Sequence, residues 1–421
     1  MSLVLPSATS VLKAWSYKGG VRRNLVSTVA GNIVFSASQF LITVVLARMG
    51  NISMVGQYAL GLACSVPIFA FTGLQMRAVQ ATDCSERFQF AEYLNVRLFG
   101  SACAIGAVLA MAFFASWSRA TLMVVIAVAC TRAVDSLSDL LYGLFQLHER
   151  LDLIALGMSA RGVAGLLALV CAMSLTHSAV IALLALSVAW LVVLLTYEWP
   201  IALRMSAANP HELLRLGSMK TCGRLIMLCV PLAFVLLVLN ATTSIPRLML
   251  QHSAGEQTLG IFSAVATISA GIGLLYSAVG QTALPRLAKM FASDRKQIDT
   301  TILQMMLFSC GLGAPVIVGA WFWGVRAVNL TYGRHSLVTK ELVVGLVVVG
   351  VLSNTSSLLG AAVTASRRFW PQLAVACMVL AVTALACSRL IPSMGAMGAM
   401  YASLAGAALQ TVAYATLCRK N

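Results

Sequence analysis

Residues 121–145 read TLMVVIAVACTRAVDSLSDLLYGLF, an apolar run interrupted by Arg132, Asp135 and Asp139. A helix that crosses a bilayer needs about 20 mostly apolar residues, so this run is long enough to span. A charge at the bilayer centre costs roughly 2.5–3.5 kcal/mol on insertion scales. The three charges fall at i, i+3 and i+7, one stripe of an α-helix. That stripe must turn away from lipid, toward other helices or a wet cavity. The segment therefore predicts a bundle of spanning helices with a charged inner surface.

Composition extends the reading to the whole chain. Of 421 residues, 60% are hydrophobic and only 10% charged, with mean hydropathy +0.89. Soluble domains carry about 25% charged residues, so the deficit points to a polytopic membrane protein. Twelve apolar stretches are legible: 25–47, 55–76, 97–115, 121–145, 153–175, 178–200, 224–248, 257–280, 300–323, 338–365, 371–391 and 395–418. They group into an N-terminal segment (1–24), a first six-helix lobe (25–200), a linker (201–223), a second lobe (224–418) and a short tail (419–421). No loop between them is long enough for a soluble domain, and no cleavable signal peptide is apparent at the N-terminus.

The net charge of +16 would suggest nucleic acid in a soluble protein. Here topology accounts for it. Twenty of the 29 Lys and Arg residues fall on the side of the two termini and seven on the other, while Arg132 and Arg161 lie inside spans. The positive-inside rule then places both termini in the cytoplasm, where the excess charge can hold anionic lipid. The eleven cysteines sit mostly within apolar runs, without CxxC or Cys/His spacing, and read as packing residues; no metal site is indicated.

An internal repeat relates the halves. GQYAL at 56–60 and GIFSA at 260–264 each follow an arginine (Arg48, Arg247) and lead through an apolar span to a polar, basic exit, QMR at 75–77 and QTALPR at 281–286. Six spans per half make these parallel repeats, with a site expected between them.

The intramembrane charges allow two readings. Arg132–Asp135 and Asp139–Arg161 can be internal pairs that fix helix packing. Alternatively, one carboxylate carries a coupling proton or cation while the arginines face an anionic substrate. Arg48 and Arg247, near the exterior ends of spans 1 and 7, have no acid nearby in sequence. Two guanidinium groups from opposite halves can hold a pyrophosphate by bidentate hydrogen bonds. Arg77 either meets an anionic head group at the cytoplasmic mouth or anchors span 2. Gly398, Ala402 and Gly406 form a small-residue face for close helix contact. Glu198, beside Trp199 and Pro200, reads as interfacial. Sequence patterns of hydrolases, P-loop proteins, zinc peptidases and DxD glycosyltransferases are absent, so neither catalysis nor a cofactor is expected.

The stretch NLVSTVAGNIVFSASQFLITVVLARMGNISMVGQYALGLACSVPIFAFTGLQMRAVQATD, from residue 24, resembles the start of oligosaccharide flippases of the multidrug/oligosaccharidyl-lipid/polysaccharide exporter superfamily. LARMG, GQYALG and LQMRAVQATD carry most of the likeness, and NATTSIPRLMLQHSAGEQTLGIFSA at 240–264 is similar to the opening of the second half in that superfamily. The resemblance implies an all-α, MATE-like protein of two six-helix lobes around a cationic central cavity. It implies a polyprenyl-pyrophosphate-linked oligosaccharide (an O-antigen, capsule or exopolysaccharide unit) moved across the bacterial inner membrane, with Arg48 and Arg247 as head-group contacts and Arg161 and Arg132 deeper. Membrane lipids, a polysaccharide polymerase and chain-length machinery are the implied partners, and nucleic acid is not. A cation-coupled multidrug exporter of the same superfamily is the nearest alternative, although its cavity should be acidic. A membrane glycosyltransferase or polymerase would need an exterior catalytic loop that this chain lacks.

Overall fold

The computed structural model describes residues 8–81, 83, 87–115, 117–206, 219–270, 273, 276, 296–333, 338–365 and 369–419. Most of the linker expected at 201–223 and the basic exit QTALPR at 281–286 lie outside the described residues. Among the described residues every regular element is helical. The first half holds α1 (Ala8–Val45), α2 (Ile52–Thr72), α3 (Met76–Ala81), α4 (Phe90–Phe114), α5 (Arg119–Leu147), α6 (Leu151–Thr176), α7 (Ala179–Val193) and α8 (Trp199–Met205). The second holds α9 (Met219–Ala270), α10 (Lys296–Tyr332), α11 (Lys340–Ala365), α12 (Phe369–Met394) and α13 (Ala396–Arg419). Wider π turns follow α1 at Leu46–Gly50 and α7 at Leu194–Glu198.

Local chemistry explains several boundaries. Asn51 accepts from the Met54 amide and starts α2, and Ser118 does the same for α5 through Thr121. Gln89 and Glu92 close a reciprocal capping box on α4. Helix α9 joins the two stretches expected as separate spans, and its backbone breaks at Gly255 (φ 76°, ψ −179°), a conformation essentially confined to glycine. Ten helices among the described residues are long and apolar enough to cross a membrane, α9 as one bent element. Helix α13, the twelfth stretch, falls outside that set because Gly, Ser, Thr and Gln dilute its hydropathy. The first helix begins at Ala8, well before the stretch at 25–47.

Within the first half α1 packs on α6 and α2 on α5, while α7 packs on both α5 and α6; within the second, α13 packs on α11 and α12, and α10 on α11. The halves meet chiefly along α2 and α9. A continuous apolar core crosses that seam, from Leu60, Val128 and Trp190 to Ile261, Phe262 and Leu342. Large apolar side chains also point outward, Phe113 and Phe114 being 84% and 85% exposed. That arrangement suits a lipid solvent.

Small residues set the closest helix approaches. The face at Gly398, Ala402 and Gly406 does pack tightly: Gly398 lies against the Leu390 carbonyl and Gly406 against Thr383 of α12. At the α1–α6 contact, a Cβ on Gly31 would stand 2.6 Å from Ala155 Cα. Replacing Gly31 with Leu should therefore force the helices apart and cost about 1–3 kcal/mol, as overpacking does. A lowered thermal unfolding midpoint of the detergent-solubilised protein checks this; an unchanged midpoint refutes it.

Candidate functional site

The charged stripe of α5 faces inward, and helices α3, α4 and α6 meet it with arginines. Arg132 Nη1 lies 3.0 Å from Asp135 Oδ2, one turn away on the same helix. The other oxygen of Asp135 pairs with Arg161 Nη2 of α6. Asp139 is shared in the same manner: Arg77 Nη1 of α3 lies 3.3 Å from Oδ1, and Arg97 Nη2 of α4 lies 3.2 Å from Oδ2. Arg97 also donates to Ser136 Oγ at 3.2 Å, and Ser136 contacts Ser101 at the same distance. Each aspartate thus bridges two guanidinium groups. Four arginines against two aspartates leave this wall with an excess of two positive charges.

The expected Asp139–Arg161 pair is replaced by these contacts. Asp135 and Asp139 share one face of α5, about 6 Å apart along its axis; Arg161 of α6 reaches the first, and Arg77 of α3 and Arg97 of α4 reach the second. The Arg132–Asp135 pair is present as expected. Arg97, read as one of the cytoplasmic arginines, is instead buried, with a side chain 4% exposed.

Aromatic faces hold the deep end. Arg161 lies 4.5 Å from the Trp190 ring centroid, 5.4 Å from Phe35 and 5.8 Å from Tyr142. The Tyr142 hydroxyl donates to Glu198 Oε1 at 2.6 Å. Glu198 is fully buried behind Tyr142, on the π turn that precedes α8. Its neighbour Trp199 carries the apolar packing there.

The four arginines, both aspartates, Phe35 and Tyr142 line a cavity of about 350 Å³, which shares Arg77, Arg97, Asp139, Phe69 and Ala70 with a second of about 330 Å³. The second is also lined by Gln75, Gln146 and Leu236. Exposure falls from this end inward: the side chain of Arg77 is 36% exposed and that of Arg161 only 2%. Beyond Val66 a third cavity, about 180 Å³, lies between α1, α2 and α9. Thr43, Tyr58, Ser244, Ser263 and Thr267 give it a ring of hydroxyl groups around Arg247. The Arg247 guanidinium donates to the Thr243 carbonyl at 3.0 Å, and no carboxylate among the described residues pairs with it. Arg48 is elsewhere. From the π turn after α1 it donates to the carbonyls of Thr331, at 2.9 Å, and of Leu330, at the C-terminal end of α10. The structure brings Arg77, Arg132 and Arg161 to one wall, adds Arg97, and does not bring Arg48 and Arg247 to one cavity.

A family model described as "polysaccharide biosynthesis protein" matches residues 21–291, well over half of the chain. The chain belongs to the polysaccharide biosynthesis protein family. A curated relative, capsular polysaccharide biosynthesis protein CapF of Staphylococcus aureus, is 25% identical over 316 residues, which are 74% of this chain and 78% of CapF. Among solved structures the fold is similar to the lipid II flippase MurJ in an inward closed conformation, at TM-score 0.73 and 12% identity over 92% of this chain and 86% of that one. It is also similar to the MATE multidrug transporter DinF-BH, at TM-score 0.68 and 14% identity over 95% of this chain and 94% of that one. This family member is thus an all-α protein of two lobes with the fold of the multidrug/oligosaccharidyl-lipid/polysaccharide exporter superfamily, a transporter architecture.

The paired charges make a stability prediction. Asp135→Ala leaves Arg132 and the nearly inaccessible Arg161 without their shared partner, at an expected cost of about 3–5 kcal/mol. Asp139→Ala should cost less, because that carboxylate is 41% exposed, Arg77 can reach water and the buried Arg97 keeps Ser136 Oγ as an acceptor. Unfolding midpoints of the two purified variants test the order, and an equal or reversed order contradicts it.

Proposed function

We propose that this protein carries a polyprenyl-pyrophosphate-linked oligosaccharide, an O-antigen, capsule or exopolysaccharide repeat unit, from the inner to the outer leaflet of the bacterial cytoplasmic membrane. Family membership supports a role in polysaccharide biosynthesis and the fold supports transport. The observation that carries the substrate class is the series of arginine-lined cavities that runs from the first half to its seam with the second, ending at a guanidinium that no carboxylate among the described residues pairs with. A pyrophosphate diester bears two negative charges, which these walls can neutralise in a low-dielectric interior. A lipophilic cation, the cargo of a multidrug exporter, would meet net positive charge along the same route.

The termini and the Arg77 end of the cavities face the cytoplasm in this reading, in keeping with the distribution of Lys and Arg. The head group enters at Arg77, whose guanidinium can exchange Asp139 for phosphate oxygens because Asp139 retains Arg97. It then passes Arg132 and Arg161 to Arg247, where hydroxyl groups complete its coordination. The polyprenyl tail stays in lipid between the lobes. Closure at Arg77 and opening at the other end release the head group outside. A polymerase and its chain-length partners would act on the delivered unit.

Arg247→Ala should cut surface polysaccharide at least about tenfold, with complete repeat units accumulating on polyprenyl pyrophosphate. Arg247→Lys should retain part of the function, since it keeps the charge but not the planar fork. Extraction of lipid-linked glycans from a deletion strain carrying each variant measures both. Normal surface polysaccharide in Arg247→Ala cells, with the variant present in the membrane, overturns the assignment.

A further inference from the structure

The cavity around Arg247 ends where the two halves of the chain touch, and that contact is built from repeat-equivalent residues. Gly56 of α2 and Gly260 of α9 face one another. The backbone nitrogen of each lies 3.1 Å from where a Cβ on the other would stand. A Cβ on Gly56 would fall on the Glu256 carbonyl, and one on Gly260 on the Ile52 carbonyl. The helices therefore meet backbone to backbone, an approach open only to glycine at these two positions.

Glu256, one helical turn before Gly260, adds a polar tie across the same seam. Its Oε2 accepts from Gln57 Nε2 of α2 at 2.8 Å, and its Oε1 accepts from the Thr121 hydroxyl of α5. Thr121 is fully buried and is held in turn by Ser118 Oγ at 2.8 Å. One carboxylate of the second half thus gathers two helices of the first. It stands directly after Gly255, where the α9 backbone breaks, so it can leave its partners by a local swing. Arg48 on the α10 carbonyls and the Thr43–Tyr332 hydroxyl contact at 3.0 Å also join the halves near this end.

We propose that Glu256 is the latch that keeps this end of the cavity shut, with Gly56 and Gly260 as the seat on which it closes. Opening breaks the Gln57 and Thr121 hydrogen bonds and parts the two glycines, while the charged cluster on α5 stays intact. Helix α5 carries Thr121 near one end and Arg132 eleven residues on, about 16 Å along the same rigid rod, so loading of the cluster is mechanically continuous with the latch. The assignment rests on the transport reading for its purpose, but closure itself can be measured without any substrate.

A cysteine at Thr267, which lines the Arg247 cavity, reports on closure in intact cells exposed to a membrane-impermeant maleimide, with the chain lacking that cysteine as the blank. The parent T267C should label slowly from outside. Adding Glu256→Ala should speed labelling at least about tenfold, the scale of even one lost hydrogen bond to a charged group. Gly260→Leu should do the same by wedging the seat. An unchanged rate in Glu256→Ala, or fast labelling in the parent, overturns the latch. If Glu256→Ala does not reach the membrane, Gln57→Ala serves instead; faster labelling supports the latch and an unchanged rate rejects it. Faster labelling together with undisturbed lipid-linked glycan export in the Arg247→Ala strain would leave the latch standing and remove the substrate assignment.

Discussion

Asp135 and Asp139 each hold two arginines, and the first half of the molecule depends on that sharing. A guanidinium cannot shed its charge, so burial must bring it an acceptor. Two carboxylates on one helix turn pair with four arginines drawn from α3, α4, α5 and α6. The arrangement fixes the rotation of α5 and the depth of α6, and it leaves an excess of positive charge facing the cavity. A one-to-one set of pairs would be neutral and would have nothing to offer an anion.

The two halves divide the work differently. The first half carries the dense charge cluster and its aromatic support at Trp190, Phe35 and Tyr142. Among the described residues the second contributes Arg247 and pairs it with no carboxylate. Between them α2 forms the wall common to all three cavities: Val66 joins the inner two and Phe69 and Ala70 the outer two. The Gly56–Gly260 contact joins the halves at positions that correspond in the repeat.

Much of the architecture was legible in sequence because lipid imposes simple rules. Apolar run length located the helices, and the stripe at 132, 135 and 139 was bound to face inward. The pairing of GQYAL with GIFSA located the seam, although nothing in the residues themselves said that Gly56 and Gly260 would touch. The partners of the stripe were harder. Asp139 and Arg161 have matching depth in sequence, but Arg161 pairs one turn along the same face, with Asp135, and Asp139 goes to Arg77 and Arg97. Arg97 follows QFAEYLNV, which reads as a polar approach to a span, and only the packing of α4 on α5 reveals its burial. Arg48 and Arg247 look equivalent in the repeat. The end of α10 claims Arg48, however, because terminal helix carbonyls attract a cation. Glu198 looked interfacial because it neighbours Trp199 and Pro200, while its partner Tyr142 lies far away in sequence.

In the proposed function the arginine-lined route carries an anionic lipid head group across the bilayer. Reconstitution of the purified chain into liposomes that contain a fluorescent polyprenyl-pyrophosphate oligosaccharide tests it most directly, with an impermeant quencher reporting which leaflet holds the sugar. The protected inner-leaflet fraction should become accessible when the chain is present and stay protected when Arg247 is replaced by Ala. Continued protection with the intact chain, alongside movement of a lipophilic cation by the same liposomes, would contradict it.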